Sequence, residues 1–326
     1  MKTGNVSRLL WLFFLVLVLL PAGIAAGQSR QRQVLVLEFN GPVTPVLVNY
    51  VENAIQRAEM QEMELIVLHL NTPGGQIGLM NQVVTLIRKS KVPVVVYVSP
   101  KGAMAASAGT LVTLAGHASA MAPDTVIGAA SPVGAEGEDL GETLKAKTVE
   151  TLLAQARSLA GRRGDQAVVM AEAAVRDARA LAAQEALQAG FVDRIANDRD
   201  DLLRQLDGFS VQVDGKTHTL RTSNLLVVEM PLNVLERLLQ LLTDPNLVFV
   251  LLSLGIQAIF IELSSPGGWV AGFPRAVCVA LAAYGMGILP VNWFGLLLLV
   301  VAFVLFIPDV KAPTHGALTA AGVGLL

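Results

Sequence analysis

Between Asn246 and Ile307 the chain carries three nearly unbroken apolar runs, Leu247 to Leu263, Val270 to Leu289 and Trp293 to Ile307. Each is long enough, or nearly so, to cross the ~30 Å hydrocarbon core of a bilayer as a helix, where all backbone polar groups must bond internally. A water-soluble domain has little use for helices without a polar face. The reading is an α-helical transmembrane region over residues 246–326 with three spans. A fourth apolar run opens at Gly316 and the chain ends at Leu326 before it could cross, so a truncated last helix is expected.

The other end is apolar in a different way. Lys2 and Arg8 precede an apolar core from Leu9 to Leu20, followed by the small residues Pro21 to Gly27, which is the pattern of a signal peptide over residues 1–27, with an uncleaved anchor helix as the alternative. Export places the domain that follows outside the cytoplasm, on the periplasmic or extracellular side of a multi-pass cell-membrane protein. The first span then runs inward and leaves Arg275 near the inner face, where positive charge belongs. Just before the spans, Leu232, Val234, Leu235, Leu238, Leu239 and Leu242 form an apolar stripe with Glu236 and Arg237 off it. That pattern predicts an interfacial amphipathic helix over residues 231–245, in contact with membrane lipid.

These ends account for a hydrophobic share of 53% against 15% charged residues. Residues 33–223 mix charged and apolar positions as a globular domain does. The net charge of -2 and an aromatic share of 5% argue against nucleic acid, which calls for concentrated Lys and Arg or stacking platforms. A single cysteine, Cys278, excludes an intramolecular disulfide and a cysteine-rich metal site. No metal and no cofactor is expected.

Val34 to Phe39, Leu65 to Leu70 and Val94 to Val98 are continuous apolar, β-branched runs of the kind that become buried parallel strands. Helical patterns lie between them, one from Pro45 after a capping Thr44 to about Glu59, the other from about Leu79 to Lys89. Strand, helix, strand, helix, strand implies right-handed crossovers and a layered α/β core. A helix near Ala103, a strand over Thr125 to Ala129, a long helix over Lys147 to Gly161 and a hairpin from Phe209 to Leu220 around Asp214-Gly215 are expected after it.

Acyl transfer needs a nucleophile, a base and backbone N–H groups aimed at the developing oxyanion. Two turns can supply them. Asn71-Thr72-Pro73-Gly74-Gly75-Gln76 follows a buried strand at its carboxyl end, where open α/β sheets place their sites. Its paired glycines let the backbone approach a ligand, although such turns are often only structural. In Ser99 to Thr110, Ser107 sits among residues too small to cover it, at the start of a helix whose dipole favours negative charge. A merely capping serine is the plain alternative.

Asn71-Thr72-Pro73-Gly74-Gly75 followed by Ala105-Ala106-Ser107-Ala108-Gly109 resembles the Clp peptidase and signal-peptide-peptidase arm of the crotonase superfamily. Ala182 to Asp193 resembles the helix and turn that close such domains, so the likeness covers roughly residues 33–197. The implied fold is a ClpP/crotonase-like layered α/β domain of ββα units. Clp peptidases place a histidine base about two dozen residues after the serine; here that region reads Gly128-Ala129-Ala130-Ser131-Pro132-Val133. His117 stays open as an alternative base. A lysine can serve only when desolvation favours its neutral form, and Lys145 and Lys147 both qualify by position. Lys147 to Ala160 resembles the start of the lysine-bearing helix in the NfeD family of stomatin operon partner proteins, in its long form. The acidic, glycine-rich segment before it, Gly134 to Asp139, departs from that resemblance.

The resemblance implies Ser107 as nucleophile, Lys147 as base with Lys145 as the alternative, Gly75 and Ala108 as oxyanion hole, and Gly74 as a substrate-binding position. It implies a serine endopeptidase that cleaves hydrophobic polypeptide, with a stomatin-like (SPFH) membrane protein as partner and a homo-oligomer, dimer or higher, as its assembly. Long NfeD proteins add an OB-like β-barrel after their spans. The expected organisation is a signal peptide over 1–27, a protease domain over 28–207, a hairpin and linker over 208–230, the interfacial helix over 231–245 and the membrane region. Two other readings are a non-proteolytic scaffold for a stomatin-like protein and a crotonase-type acyl-CoA enzyme; export disfavours the latter because CoA is cytoplasmic.

Overall fold

The structure, a computed structural model, describes residues 31–133, 141–264 and 272–288 together with four further helical positions, Gly295, Leu297, Leu298 and Val301. The proposed signal peptide, the segment Gly134–Leu140 and most of the third apolar run lie outside the described residues.

Three strands come where the apolar runs predict them: β1 (Gln33–Asn40), β2 (Leu65–Asn71) and β3 (Val94–Val98). They pair in parallel, with Val36 opposite Val67 and Val67 opposite Val95. Their sequences are apolar throughout because both faces are covered. Leu35, Leu37, Ile66, Leu68, Val94 and Val96 face one core, shared with the helices; Val34, Val36, Leu65, Val67, Val95 and Tyr97 face the other. The side-chain alternation of a strand divides each run between the two.

The crossover helices are α1 (Pro45–Met60), with proline in its first turn, and α2 (Ile77–Lys89). Then the chain departs from the sequence reading. Met104–Ala106 is a short strand, β4, where a helix was expected from Ala103. Thr72 explains the change: its N–H donates to the Met104 carbonyl (2.7 Å) and its carbonyl accepts from the Ala106 N–H (3.0 Å), which holds the segment extended. The helix, α3 (Ala108–Ala115), begins only after Ser107.

Two more strands extend the picture, β5 (Ala118–Met121) beside β3 and β6 (Val126–Gly128) beside β4. The long helix α4 (Glu142–Ala160) starts five residues before the expected Lys147 and leads to α5 (Asp165–Arg176). After β7 (Ala180–Ala182) and α6 (Ala183–Gln188), β8 (Arg194–Ile195) joins β5, and α7 (Arg199–Leu206) covers the second core. The hairpin forms as β9 (Ser210–Val213) and β10 (Lys216–Thr219), with Asp214 and Gly215 both at positive φ, as a type I′ turn needs.

The segment after the hairpin belongs to the domain. β11 (Leu226–Glu229) pairs with β1 and completes a six-stranded parallel sheet in the order β11-β1-β2-β3-β5-β8. A second sheet, β4-β6-β7, stands beside it. Beyond β11 come α8 (Val234–Leu241), α9 (Pro245–Ser264) and α10 (Gly272–Ile288). Among the described residues no single helix is long and apolar enough to cross a membrane; α8 with the first part of α9 passes that test only as a pair bent by 87°.

Candidate active site

The two turns flagged in the sequence meet. β2 ends at Asn71, and the Thr72 hydroxyl then closes the next turn by accepting from the Gly74 N–H (3.1 Å) and donating to the Gly74 carbonyl (3.2 Å). Gly74 has a φ of +127°, a conformation that suits glycine. A Cβ built there would lie 2.7 Å from the Ser107 Cβ and 3.2 Å from its Oγ. Gly75 is pressed equally hard from the other side: its Cβ would lie 2.5 Å from the Val43 carbonyl oxygen. The Val43 N–H donates to the Gly74 carbonyl (2.7 Å), so the end of the β1 loop backs the glycine turn.

Ser107 occupies a strained backbone conformation, φ 52° and ψ -118°, of a kind that costs roughly 1–3 kcal/mol. Its N–H donates to the Gly128 carbonyl (2.9 Å), which fixes the strand-to-helix turn. Its side chain makes no capping hydrogen bond although it precedes α3, so the capping role does not explain the residue. Ala108 is the first residue of α3, where a helix leaves its N–H groups without intrahelical partners. Among the described residues no main-chain acceptor takes the N–H of Gly75 or of Ala108. A half-buried serine at the positive end of a helix dipole thus stands against Gly74, and the adjoining amides of Gly75 and Ala108 have no main-chain acceptor among the described residues.

Sequence reasoning missed the support behind this turn. Gly128 accepts from Ser107 and from the Thr110 hydroxyl (2.9 Å), and donates its own N–H to that hydroxyl (3.0 Å). Its φ is +125°, and an added Cβ would meet the Arg179 carbonyl at 2.3 Å. The available signal was a glycine ending a short apolar strand; its partners, Ser107 and Thr110 upstream and Arg179, 51 residues downstream, were not readable.

The lysines are placed differently from the expectation. Lys145 and Lys147 stand on the first turns of α4, and both are exposed. The first buried residues of that helix are Leu152 and Leu153, from which point it packs on α3 and α5 and is tied to α2 by Gln155 donating to Asn81 (2.8 Å). The water-poor pocket expected around the amine is not formed by the described residues. Only Leu144 and Val149 offer large apolar side chains in those turns, too little to bury them against the domain.

The histidines among the described residues do not compensate. His117 lies beyond the far end of the eight-residue α3, about 12 Å of helix away from Ser107. It is buried, accepts from the Val94 N–H (3.0 Å), and its pKa is pushed down to about 4 by burial and then by Arg88, Arg162 and His218. His69 is held beside Ser99 (2.8 Å) within β2, and His218 sits on β10.

A serine on a strained strand-to-helix turn, facing a glycine turn at the carboxyl ends of parallel strands, defines an α/β domain of the ClpP-like class with Ser107 as its candidate nucleophile. The chain belongs to the NfeD family: residues 33–214 match the model of the NfeD1b N-terminal domain, and residues 246–326 that of the NfeD integral membrane domain. It is 35% identical to the membrane-bound protease PH1510 of Pyrococcus horikoshii over 97% of this chain and 71% of that protein. It is 25% identical to the membrane protein NfeD1b of Bacillus subtilis over 86% of this chain and 62% of that one. Among solved structures it is similar to 1510-N, a membrane-bound stomatin-specific protease. A lysine-to-alanine mutant of 1510-N in complex with a substrate peptide superposes with a TM-score of 0.60 at 31% identity, over 65% of this chain and 97% of that one. A serine-to-alanine mutant gives 0.57 at 32% identity, over 61% and 98%.

Proposed function

We propose that this chain is a membrane-anchored serine endopeptidase with a Ser107–Lys147 dyad that cleaves hydrophobic polypeptide. The observation that carries the reading is Ser107 itself, held in a strained conformation with Gly74 against its Cβ and the Gly75 and Ala108 amides uncommitted beside it. Ser107 Oγ attacks the scissile carbonyl carbon while Lys147 Nζ, in its neutral form, takes the proton. The N–H groups of Gly75 and Ala108 hold the oxyanion of the tetrahedral intermediate. Collapse breaks the C–N bond, Lys147 returns its proton to the leaving amine, and water then hydrolyses the acyl-enzyme by the same route.

Lys147 is preferred over Lys145 on spacing. In 1510-N the mutated lysine lies 41 positions after the mutated serine; here Lys147 lies 40 after Ser107 and Lys145 lies 38. Lys147 is exposed in the free chain, so the proposal requires the bound substrate to cover it. Exposed apolar side chains stand in the neighbouring sequence of each component: Met104 before Ser107, its pair partner Val126, Ile77 after Gly75, and Leu144 before the lysines. An apolar segment lying extended beside Gly74 would cover them while bonding main chain to main chain. Anchoring by residues 246–326 raises the effective concentration of such segments at the bilayer. A stomatin-like (SPFH) membrane protein is the partner we assign, with the site on the extracytoplasmic side of a multi-pass chain assembled as a homo-oligomer.

The same exposure of Lys147 favours a second reading, a scaffold that binds a stomatin-like protein without cutting it. Casein and an apolar peptide separate the two when tested with the full chain in detergent, because truncation at Asp207 would strip β11 from the main sheet. Ser107→Ala and Lys147→Ala each abolish cleavage under the proposal. Cleavage intact in Ser107→Ala removes the enzyme reading, and cleavage lost in Lys145→Ala but kept in Lys147→Ala moves the base.

A further inference from the structure

The helix α8 is seated on the domain in an unusual sense. Val234, Leu235, Leu238 and Leu241 are exposed, whereas Glu236 is buried and caps the helix start by accepting from the Asn233 N–H (2.8 Å). Leu232 and Leu239 pack against the domain core and Leu242 is buried, so the apolar residues are divided between two sides, and the exposed side is left for the same surroundings as α9, which follows at an angle of 87°. Residues from Asn246 onward match an integral membrane domain, and an exposed apolar side just before them fits a helix lying on a bilayer surface.

One side chain of α8 reaches the back of the active site. Gln240 donates through Nε2 to the Asn40 carbonyl, at the end of β1. A short strap runs from there to the glycine turn: Gly41 donates to the Asn71 carbonyl (2.9 Å), the Asn40 side chain accepts from Asn71 Nδ2 (3.0 Å), and Val43 donates to Gly74. Gly41 has a φ of +139°, and a Cβ there would come 3.3 Å from Gln240 Nε2, so the strap has no side chain to brace it at that point. The strap presses on Gly75, one of the two amides assigned to the oxyanion.

We infer that Gln240 is a positioning residue for that amide, through which a lipid-lying helix sets the geometry of the catalytic turn. The inference rests on the peptidase reading given above. It makes turnover depend on how α8 sits at the bilayer, since any shift of α8 pulls on the Asn40 carbonyl and thence on Val43 and Gly75. Substrate affinity depends on it far less, because the contact of Gln240 is with the Asn40 carbonyl and its effect on the site is indirect.

The test uses the full chain in vesicles of phosphatidylethanolamine and phosphatidylglycerol with a fluorogenic apolar peptide. Gln240→Glu, which keeps the shape but loses the donor, and Gln240→Ala lower kcat by about 10-fold with little change in KM, the signature of a mispositioned catalytic group. Gln240→Lys, which keeps an N–H donor, restores most of the rate. Labelling of Ser107 by a fluorophosphonate slows in the same order. Wild-type kcat in both donor-lacking variants, or a change confined to KM, overturns the inference, as does a Gln240→Lys chain as slow as Gln240→Glu. Ser107→Ala, run alongside, keeps the outcomes apart. If it is inactive while the Gln240 variants turn over normally, only the positioning role falls; if it is active, the peptidase reading falls first. Should Gln240→Glu fail to fold by circular dichroism, Gln240→Ala and Gln240→Lys decide the matter.

Discussion

Replacing Gly74 by alanine perturbs the contact on which the site depends. The new methyl group would sit at φ +127°, where a side-chain-bearing residue costs roughly 1–3 kcal/mol. It would also lie 2.7 Å from the Ser107 Cβ, an atom that cannot swing away because Ser107 is pinned to Gly128 through its N–H. Overpacking of that kind adds roughly 1–3 kcal/mol. The sum, roughly 2–6 kcal/mol, is a large part of the ~5–15 kcal/mol that holds a domain together. The variant therefore folds with a clearly lowered thermal midpoint, and relief of the clash comes by moving Ser107. On the peptidase reading, displacing Ser107 by about an ångström lowers its rate by up to about 100-fold. Circular dichroism melts report the first effect, and fluorophosphonate labelling of Ser107 reports the second. Gly78→Ala is the control: its Cβ meets nothing within 4 Å and it lies in α2, so it is neutral or stabilising by up to about 1 kcal/mol. If Gly74→Ala matches Gly78→Ala in both midpoint and labelling rate, the close apposition of the two turns is wrong.

Arg163 pairs with Asp193 at 2.7 Å with its side chain only 2% exposed, and also donates to the Ser119 hydroxyl. Arg163→Ala strands that carboxylate and destabilises by roughly 3–5 kcal/mol, read as a drop in thermal midpoint. Burial, then Arg199, lowers the His69 pKa to about 4, partly offset by Glu229, and His117 is lowered to about 4 likewise, against 6.5 for a free imidazole. Their neutral forms thus stabilise the fold fully above about pH 6.5, and stability is lost as the pH falls toward 4, because the unfolded chain takes up protons first. His117→Gln, whose side chain can still accept from Val94, should flatten the midpoint-against-pH curve over that window; an unchanged slope would refute the assignment for His117.

The runs Val34 to Phe39, Leu65 to Leu70 and Val94 to Val98 were legible as buried strands because a strand covered on both faces must be apolar throughout. The glycine and small-residue turns were legible for a related reason: close backbone approach excludes larger side chains, and that exclusion is visible in one dimension. The periodicities and the apolar ends therefore came from the sequence alone, as did Gly74, Gly75, Ser107 and Ala108 as a candidate group. What only the tertiary structure decided rests on partners far apart in the chain. Thr72 turns residues 104–106 into a strand, Gly128 holds Ser107 in its strained turn, β11 returns to the edge beside β1, and Gln240 reaches Asn40. The exposure of Lys147 belongs here too, since burial is set by what neighbouring elements cover, and α4 meets the core only from Val149 onward. Local pattern records what a residue's own turn or strand demands of it; which distant carbonyl or helix it meets is settled when the layers close.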